Sequence, residues 1–242
     1  MSTQNREKSR TERAAEVRAA QERQERNRRV ALIVGILVAL GAIVAGGVWY
    51  TTGNGTKVAT GTAGVVTAGS GSVIAGPSSA PTTITIYEDF QCPYCLQLEN
   101  ETRGFLRDNA AAGKVRVEYH PINLLSQDVY SARALNAFAA VLAHSTPRAA
   151  LQLHDLLYDH QPYETASGSV SESAIAGYVK QAGGDNAAVE AAMRTTDTAF
   201  FAAAAQVMQQ QHITGTPTVL INGKQATGSV DQIVAQIEAA VG

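Results

Sequence analysis

The two cysteines of this 242-residue chain are Cys92 and Cys95, in the run Phe90-Gln91-Cys92-Pro93-Tyr94-Cys95. At that spacing both sulfurs meet on the first turn of a helix, where they can close a small, easily opened disulfide. The chemistry predicted is a dithiol/disulfide redox centre. Half of a zinc site is the alternative, but structural zinc takes four protein ligands. There is no second CxxC, and His120, His144, His154, His160 and His212 are scattered without a compact pair. No metal is expected, and His154 and His160 read as ordinary surface or half-buried histidines. An inert pair of buried thiols is the third reading.

The elements needed to position such a pair surround it. Thr83-Ile84-Thr85-Ile86-Tyr87 is β-branched and aromatic, bounded upstream by Pro77 and Pro81, and predicts a strand. After the cysteines, Leu98, Thr102, Phe105 and Leu106 recur at helical spacing to about Ala112, and Gly113 supplies a stop. Gly104 is a blemish in that helix, costing about 1 kcal/mol against Ala. Pro93 suits the first helical position, where its missing N–H costs nothing. Strand, CxxC, helix is the opening of a thioredoxin fold. At the helix start Cys92 meets unpaired N–H groups and a positive dipole end, so it is expected to be the acidic, exposed nucleophile. Cys95, one turn in, is expected to be the shielded, resolving thiol. Pro93 and Tyr94, between them, tune the couple.

A second constellation lies far downstream. Gly215-Thr216-Pro217-Thr218 leads into the apolar Val219-Leu220-Ile221 and then Asn222-Gly223, a strand closed by a hairpin turn. A proline there can be simply the first residue of a strand. Beside a CxxC it predicts a cis Thr216–Pro217 bond facing the sulfurs, with Thr216 offering its backbone to an extended client peptide.

Val115-Arg116-Val117-Glu118-Tyr119 alternates as another strand. Between it and Thr216 lies a long stretch of helical pattern, too long for a crossover and enough for a small helical subdomain at about 126–211. Tyr130, Ala134, Phe138 and Val141 line one face, and Thr146-Pro147 opens a helix carrying Leu151, Leu153, Leu156 and Leu157. Gly183-Gly184-Asp185 predicts a stop followed by an N-cap at Asp185, and Asp197 a further N-cap. Ser229 and Gln232 form a capping-box start for a terminal helix. The class is α/β, a thioredoxin fold with an inserted helical subdomain.

The first fifty residues are of another kind. Val30 to Tyr50 carries no charge. As a helix it spans ~31 Å, against a hydrocarbon core of about 30 Å. Nine basic and five acidic residues precede it, and Trp49 and Tyr50 suit an interfacial belt. The expectation is a basic cytoplasmic tail (1–29), a single transmembrane helix (30–50) acting as signal-anchor, a Gly/Ser/Thr-rich linker (51–81) and an extracytoplasmic domain (82–242). Val65-Val66 and Val73-Ile74 are candidates for a short edge strand within that linker. A cleaved signal peptide is the runner-up. The tail touches the lipid bilayer rather than nucleic acid, since its basic residues alternate with acids and no aromatics accompany them. With 19 basic and 21 acidic residues in all, the chain beyond residue 29 keeps ten and 16, a net of −6 that asks for no phosphate partner.

Ile74-Ala75-Gly76-Pro77 through Ile84, Glu88-Asp89-Phe90-Gln91-Cys92-Pro93-Tyr94-Cys95, and Gly215-Thr216-Pro217-Thr218 with Asn222-Gly223 together resemble a DsbA-like protein. Such proteins are extracytoplasmic thiol–disulfide oxidoreductases of the thioredoxin superfamily, and the resemblance covers roughly residues 74–242. It implies oxidation of exported proteins with cysteine thiols, recycling by a membrane partner such as a quinone-linked oxidase, and no cofactor. Many relatives carry a glutamate six residues before the first cysteine, as a proton relay; here Ile86 stands there. Glu88 or Asp89 can substitute, the alternative being solvated carboxylates at a strand end. Oxidising relatives often have His between the cysteines, whereas Tyr94 is shared with reducing ones, so a reductase on the same scaffold is the second reading. A non-enzymatic client- or metal-binding module is the third.

Overall fold

The computed structural model describes residues 64–242. Among them no helix is long and apolar enough to cross a membrane; the tail and span expected at 1–29 and 30–50 lie outside the described residues.

The scaffold is a six-stranded sheet of order β1-β2-β4-β3-β5-β6. Its strands are β1 (Val66–Gly69), β2 (Ser72–Ala75), β3 (Thr82–Glu88), β4 (Val115–Pro121), β5 (Thr218–Ile221) and β6 (Lys224–Gln225). Only β3 and β4 run parallel, with Ile84 opposite Val117 and Ile86 opposite Tyr119. The connection that parallel pairing requires is α1 (Pro93–Ala111), which packs on β4 and β2. Ile84, Ile86, Val115, Val117 and Tyr119 are all buried, as the period-2 alternation demands.

The linker reading of 51–81 gives way at β1 and β2. Val73, Ile74 and Ala75 are buried and pair with Tyr119, Glu118 and Val117 of β4. A four-residue strand among Gly, Thr and Ser is too short to raise the local hydrophobicity, and its place is decided by the free edge of β4. Gly76 then turns the chain at φ +96°, and a Cβ there would meet the Val115 carbonyl oxygen at 2.1 Å. Only glycine fits so close an approach.

Five α-helices lie between β4 and β5: α2 (Val129–His144), α3 (Pro147–Asp159), α4 (Glu172–Gln181), α5 (Ala187–Met193) and α6 (Thr198–Gln210). Tyr130, Ala134, Phe138 and Val141 of α2 bury one face, with α3, α4 and α5 packed on that helix. Helix α3 also reaches β1, β2 and α1, so this subdomain shares one core with the sheet. Thr146 caps α3 and Asp197 caps α6 through their side chains. The cap expected at Asp185 falls instead on Asn186, whose Oδ1 accepts from the amides of Ala188 and Val189 while its Nδ2 donates to the His144 carbonyl.

The last strand is locked by its turn. Asn222 and Gly223 both have positive φ, 50° and 79°, the conformation of a tight primed hairpin turn. Asn222 also pairs with Thr83, donating its amide to the carbonyl and accepting at Oδ1 from the amide, both at 2.8 Å. Helix α7 (Val230–Val241) starts with the Ser229–Gln232 capping box and buries Ile233, Ile237 and Val241 near α1, β3 and β5.

Candidate active site

Strand β3 ends at Glu88, and four residues later α1 begins with Cys92 as its N-cap. Pro93 occupies the first turn, and the Cys92 carbonyl accepts from the amides of Cys95 and Leu96 at 3.1 and 3.2 Å. Asp89 shapes the bend between strand and helix. Its Oδ1 accepts from the Gln91 amide, its Oδ2 from the Leu125 amide and the Ser131 hydroxyl, and its carbonyl from the Cys92 amide.

The helical subdomain grips the same bend. Gln161 donates through Nε2 to the carbonyls of Phe90 (2.8 Å) and Cys92 (3.0 Å), and Gln91 donates back to the Pro162 carbonyl at 2.8 Å. Sequence reasoning missed Gln161: it lies 69 residues from Cys92 and belongs to no motif.

Both sulfurs are more enclosed than expected. Cys95 is fully buried and Cys92 is only 5% exposed, so the nucleophile sits in a recess rather than on the surface. Tyr94, by contrast, is 62% exposed and turned to solvent. The two thiols are driven in opposite directions. A hydrogen bond from Cys95 lowers the Cys92 pKa to about 6, against the opposing effect of burial. The Thr216 side chain and the backbone amides of Cys95 and Tyr94 add to the lowering. Burial pushes the Cys95 thiol well up, as do its bond to Cys92 and the charges of Cys92 and Glu88. One sulfur is a thiolate near neutrality; the other holds its proton.

The Thr216–Pro217 bond is cis, and the Thr216 carbonyl oxygen lies 3.2 Å from Cys92 Sγ, across 124 residues of sequence. Both residues are half-buried. Helix start, thiol pair and Thr216 carbonyl thus converge on one sulfur.

Glu88 and Asp89 are both fully buried, not solvated at a strand end. Glu88 Oε1 is 2.7 Å from Nε2 of His154, whose Nδ1 lies 3.1 Å from Asp155. The surface or half-buried reading of His154 is therefore corrected: it is fully buried on α3, against the rings of Tyr119, Phe90 and Tyr158. Burial disfavours its charge, but the carboxylates of Glu88 and Glu99 outweigh that and raise its pKa to about 10. The signal was present in the sequence, since His154 falls between Leu151 and Leu157 at helical spacing, on the apolar face of α3. His160 is exposed and stacks on Tyr178. Among the described residues, the group with ligand atoms gathered as for a metal is Glu88, Glu99 and His154, within 4.8 Å of one another. Neither cysteine belongs to it; Arg103 pairs with Glu99 at 3.2 Å, and Arg107 pairs with the adjoining Asp155 at 2.8 Å.

A family model described as Thioredoxin matches residues 69–239, and the chain belongs to that family. Five helices are inserted into that fold between β4 and β5. DsbA of Mycobacterium tuberculosis in its reduced form superposes with TM-score 0.58 at 24% identity, covering 71% of this chain and 93% of that one. MdbA of Corynebacterium diphtheriae, a thiol-disulfide oxidoreductase, gives 0.60 at 21%, covering 74% and 99%. At these identities the likeness carries the fold. Of the curated relatives, Na(+)/H(+) antiporter NhaA 1 of Salinispora arenicola is 29% identical over 157 residues, 64% of this chain. The chain spans 22% of that relative's length and 13% of NhaA 3 of Salinispora tropica.

Proposed function

We propose that this chain is an extracytoplasmic thiol–disulfide oxidoreductase that oxidises the thiols of exported proteins with the Cys92–Cys95 pair. The observation that carries the reading is the opposed acidity of the two sulfurs, with Cys92 lowered to about 6 and Cys95 driven well up. A client thiolate attacks Cys92 Sγ and Cys95 leaves; the client's second thiol then displaces Cys92, closing the client's own disulfide. A depressed Cys92 pKa makes it a good leaving group and favours the reduced enzyme, which is the direction of an oxidase. Thr216 and Pro217 bound the client groove, where an extended peptide adds as a strand beside the Thr216 backbone. The exchange is sulfur chemistry and takes no cofactor. Glu88 serves as the proton relay to Cys95; Asp89, whose carboxylate oxygens accept from the amides of Gln91 and Leu125 and the Ser131 hydroxyl, positions the bend before α1. A membrane oxidase recycles the pair.

Tyr94 favours a milder couple than a His-containing motif and keeps a reductase as the second reading. The expected potential lies between those of strong oxidants at about −120 mV and thioredoxin at about −270 mV. Tyr94→His is expected to raise it, because a partly charged imidazole stabilises the Cys92 thiolate, at about 30 mV for each pKa unit. Equilibration of the full chain with glutathione buffers measures both. A value at or below that of thioredoxin, with insulin reduced and no client oxidised, selects the reductase.

For location, the uncharged run Val30–Tyr50 behind a basic tail supports a single-pass anchor with the catalytic domain outside. Protease added to spheroplasts is expected to degrade the chain from Lys57 onward and spare the N-terminal tail. A soluble mature chain beginning after Tyr50 would establish a cleaved signal peptide instead.

A further inference from the structure

We propose that Gln161 is a positioning residue of the exchange reaction: its side-chain amide reaches out of the helical subdomain, holds the turn that presents Cys92, and by that hold favours the reduced pair. The inference rests on the thiol–disulfide reading of the same site and adds to it a residue that no local motif contains.

The bend between β3 and α1 is tied to the helical subdomain residue by residue. The Tyr158 hydroxyl donates to the Asp89 carbonyl at 3.2 Å. Gln161 Nε2 donates to the Phe90 carbonyl at 2.8 Å and to the Cys92 carbonyl at 3.0 Å, one carbonyl for each of its two N–H groups. Gln91 answers through its own Nε2 to the Pro162 carbonyl at 2.8 Å. These bonds are made with both thiols free. Gln161 is prepared for the task by its neighbours. Its backbone amide donates to the Tyr158 carbonyl at 3.0 Å, just past the end of α3. Pro162 disfavours the helical conformation at the residue before it, so the chain leaves the helix there. Gln91 is 1% exposed, and its Oε1 is buried without a hydrogen-bond partner. Gln91 thus lends the bracket one bond, while Gln161 reaches the carbonyl of the nucleophile itself.

Cys92 is the N-cap of α1, the residue at which the chain changes direction. Its amide donates to the Asp89 carbonyl at 2.9 Å, and its carbonyl accepts from the amides of Cys95 and Leu96. Those bonds lie within the turn. Gln161 comes from another element and fixes the turn against the body of the protein. On the other side of the same residue, Sγ meets the Thr216 carbonyl oxygen at 3.2 Å. Cys92 is therefore held by its backbone from α3 and by its sulfur from the segment before β5.

Redox state decides how much the Gln161 hold is worth. In the oxidised pair the Cys92–Cys95 bond itself ties Cys92 to α1. In the reduced pair that covalent tie is gone, and hydrogen bonds alone keep the turn in one geometry. An ordering interaction contributes most where the group would otherwise be free. Gln161 therefore stabilises the reduced form more than the oxidised form, which makes the disulfide a stronger oxidant of its clients. Through this one side chain the helical subdomain acts on the redox balance of the pair that α1 carries.

The test is a closed thermodynamic cycle on the full chain. In the reaction followed, the two protein thiols lose two electrons and two protons as the Cys92–Cys95 bond forms. Oxidised glutathione takes them up and leaves as two thiols. Gln161→Leu keeps most of the bulk and removes both donors. It is expected to shift the glutathione equilibrium toward the protein disulfide about fivefold or more, the net worth of one hydrogen bond. Urea unfolding of the reduced and the oxidised forms supplies the rest of the cycle. The variant is expected to lose more stability when reduced than when oxidised, by the same factor, because position 161 is far from both thiols in the unfolded chain. Gln161→Glu, whose carboxylate accepts but cannot donate, is expected to shift both measurements further in the same direction. On the native chain, NMR is expected to show the Gln161 side-chain amide protons exchanging with solvent more slowly in the reduced form than in the oxidised form, a readout that needs no variant. An unshifted or reversed glutathione equilibrium in Gln161→Leu, with both forms destabilised alike, marks a purely structural residue and overturns the proposal. A shift confined to Gln161→Glu, where charge alone acts, overturns it too, as does equal exchange in the two native forms. A native pair that never equilibrates with glutathione overturns the thiol–disulfide reading itself.

Discussion

Cys92→Ser is expected to abolish thiol–disulfide exchange, while Cys95→Ser keeps the attack of the Cys92 thiolate on a client disulfide and accumulates mixed disulfides with oxidised clients. The asymmetry comes from the site, since either change removes one of two sulfurs. With its pKa at about 6, Cys92 is mostly thiolate at neutral pH. An unperturbed cysteine is ionised only to a few per cent there. Cys95 is fully buried with its thiol held protonated, so alone it presents no nucleophile to a client. In the Cys95→Ser variant the mixed disulfide at Cys92 loses its internal resolving thiol and persists. Non-reducing electrophoresis of each full-length variant after exposure to clients carrying a disulfide reads the outcome. Mixed disulfides trapped through Cys95 in the Cys92→Ser variant would reverse the assignment.

The second large effect is on stability as a function of pH. Relative to its Cys92→Ser variant, the reduced chain is expected to gain stability as pH rises from 6 to 9. In the unfolded chain the thiol keeps its proton up to the reference value of 9.0, while the folded protein releases it at about 6. Across that window the unfolded state binds more protons, so unfolding becomes harder as pH rises, and the gain is lost as pH falls through 6. Three pKa units at ~1.4 kcal/mol each give about 4 kcal/mol above pH 9, and about 1.4 kcal/mol at pH 7. His154 runs the other way. Its folded pKa, raised to about 10, makes a contribution present below the ordinary histidine value and lost as pH climbs toward 10. The native profile mixes the two, and subtracting the Cys92→Ser variant isolates the sulfur. Urea unfolding of both reduced proteins at several pH values measures it. A difference that stays flat between pH 6 and 9 would mean that Cys92 is not the acidic sulfur.

Local chemistry made much of this protein readable in one dimension. Period-2 alternation in β3 and β4, the Thr146 and Asp197 caps, the Ser229–Gln232 box and the Asn222-Gly223 turn each depend on residues a few positions apart, and the chain declares them wherever it folds. Cys92, Pro93 and Cys95 belong to that group, because a helix start is a local structure. Gly-Thr-Pro-Thr before a strand is local too; that Thr216 meets Cys92 is not. Contacts across long stretches of chain rest on which surfaces the fold brings together. The β4 edge made strands of residues that composition assigned to a tether. The packing of α3 on α1 turned His154 from an unremarkable histidine into the partner of Glu88, 66 residues away. Gln161 grips the active-site bend for the same reason. Cys92 was expected to be exposed because helix starts usually are, yet the Thr216 segment covers it. What the sequence determined by itself was which atoms can do chemistry, since reactivity resides in residue type and short spacing. The tertiary structure alone decided how each atom is charged, because burial and the partners that offset it are properties of the packed core.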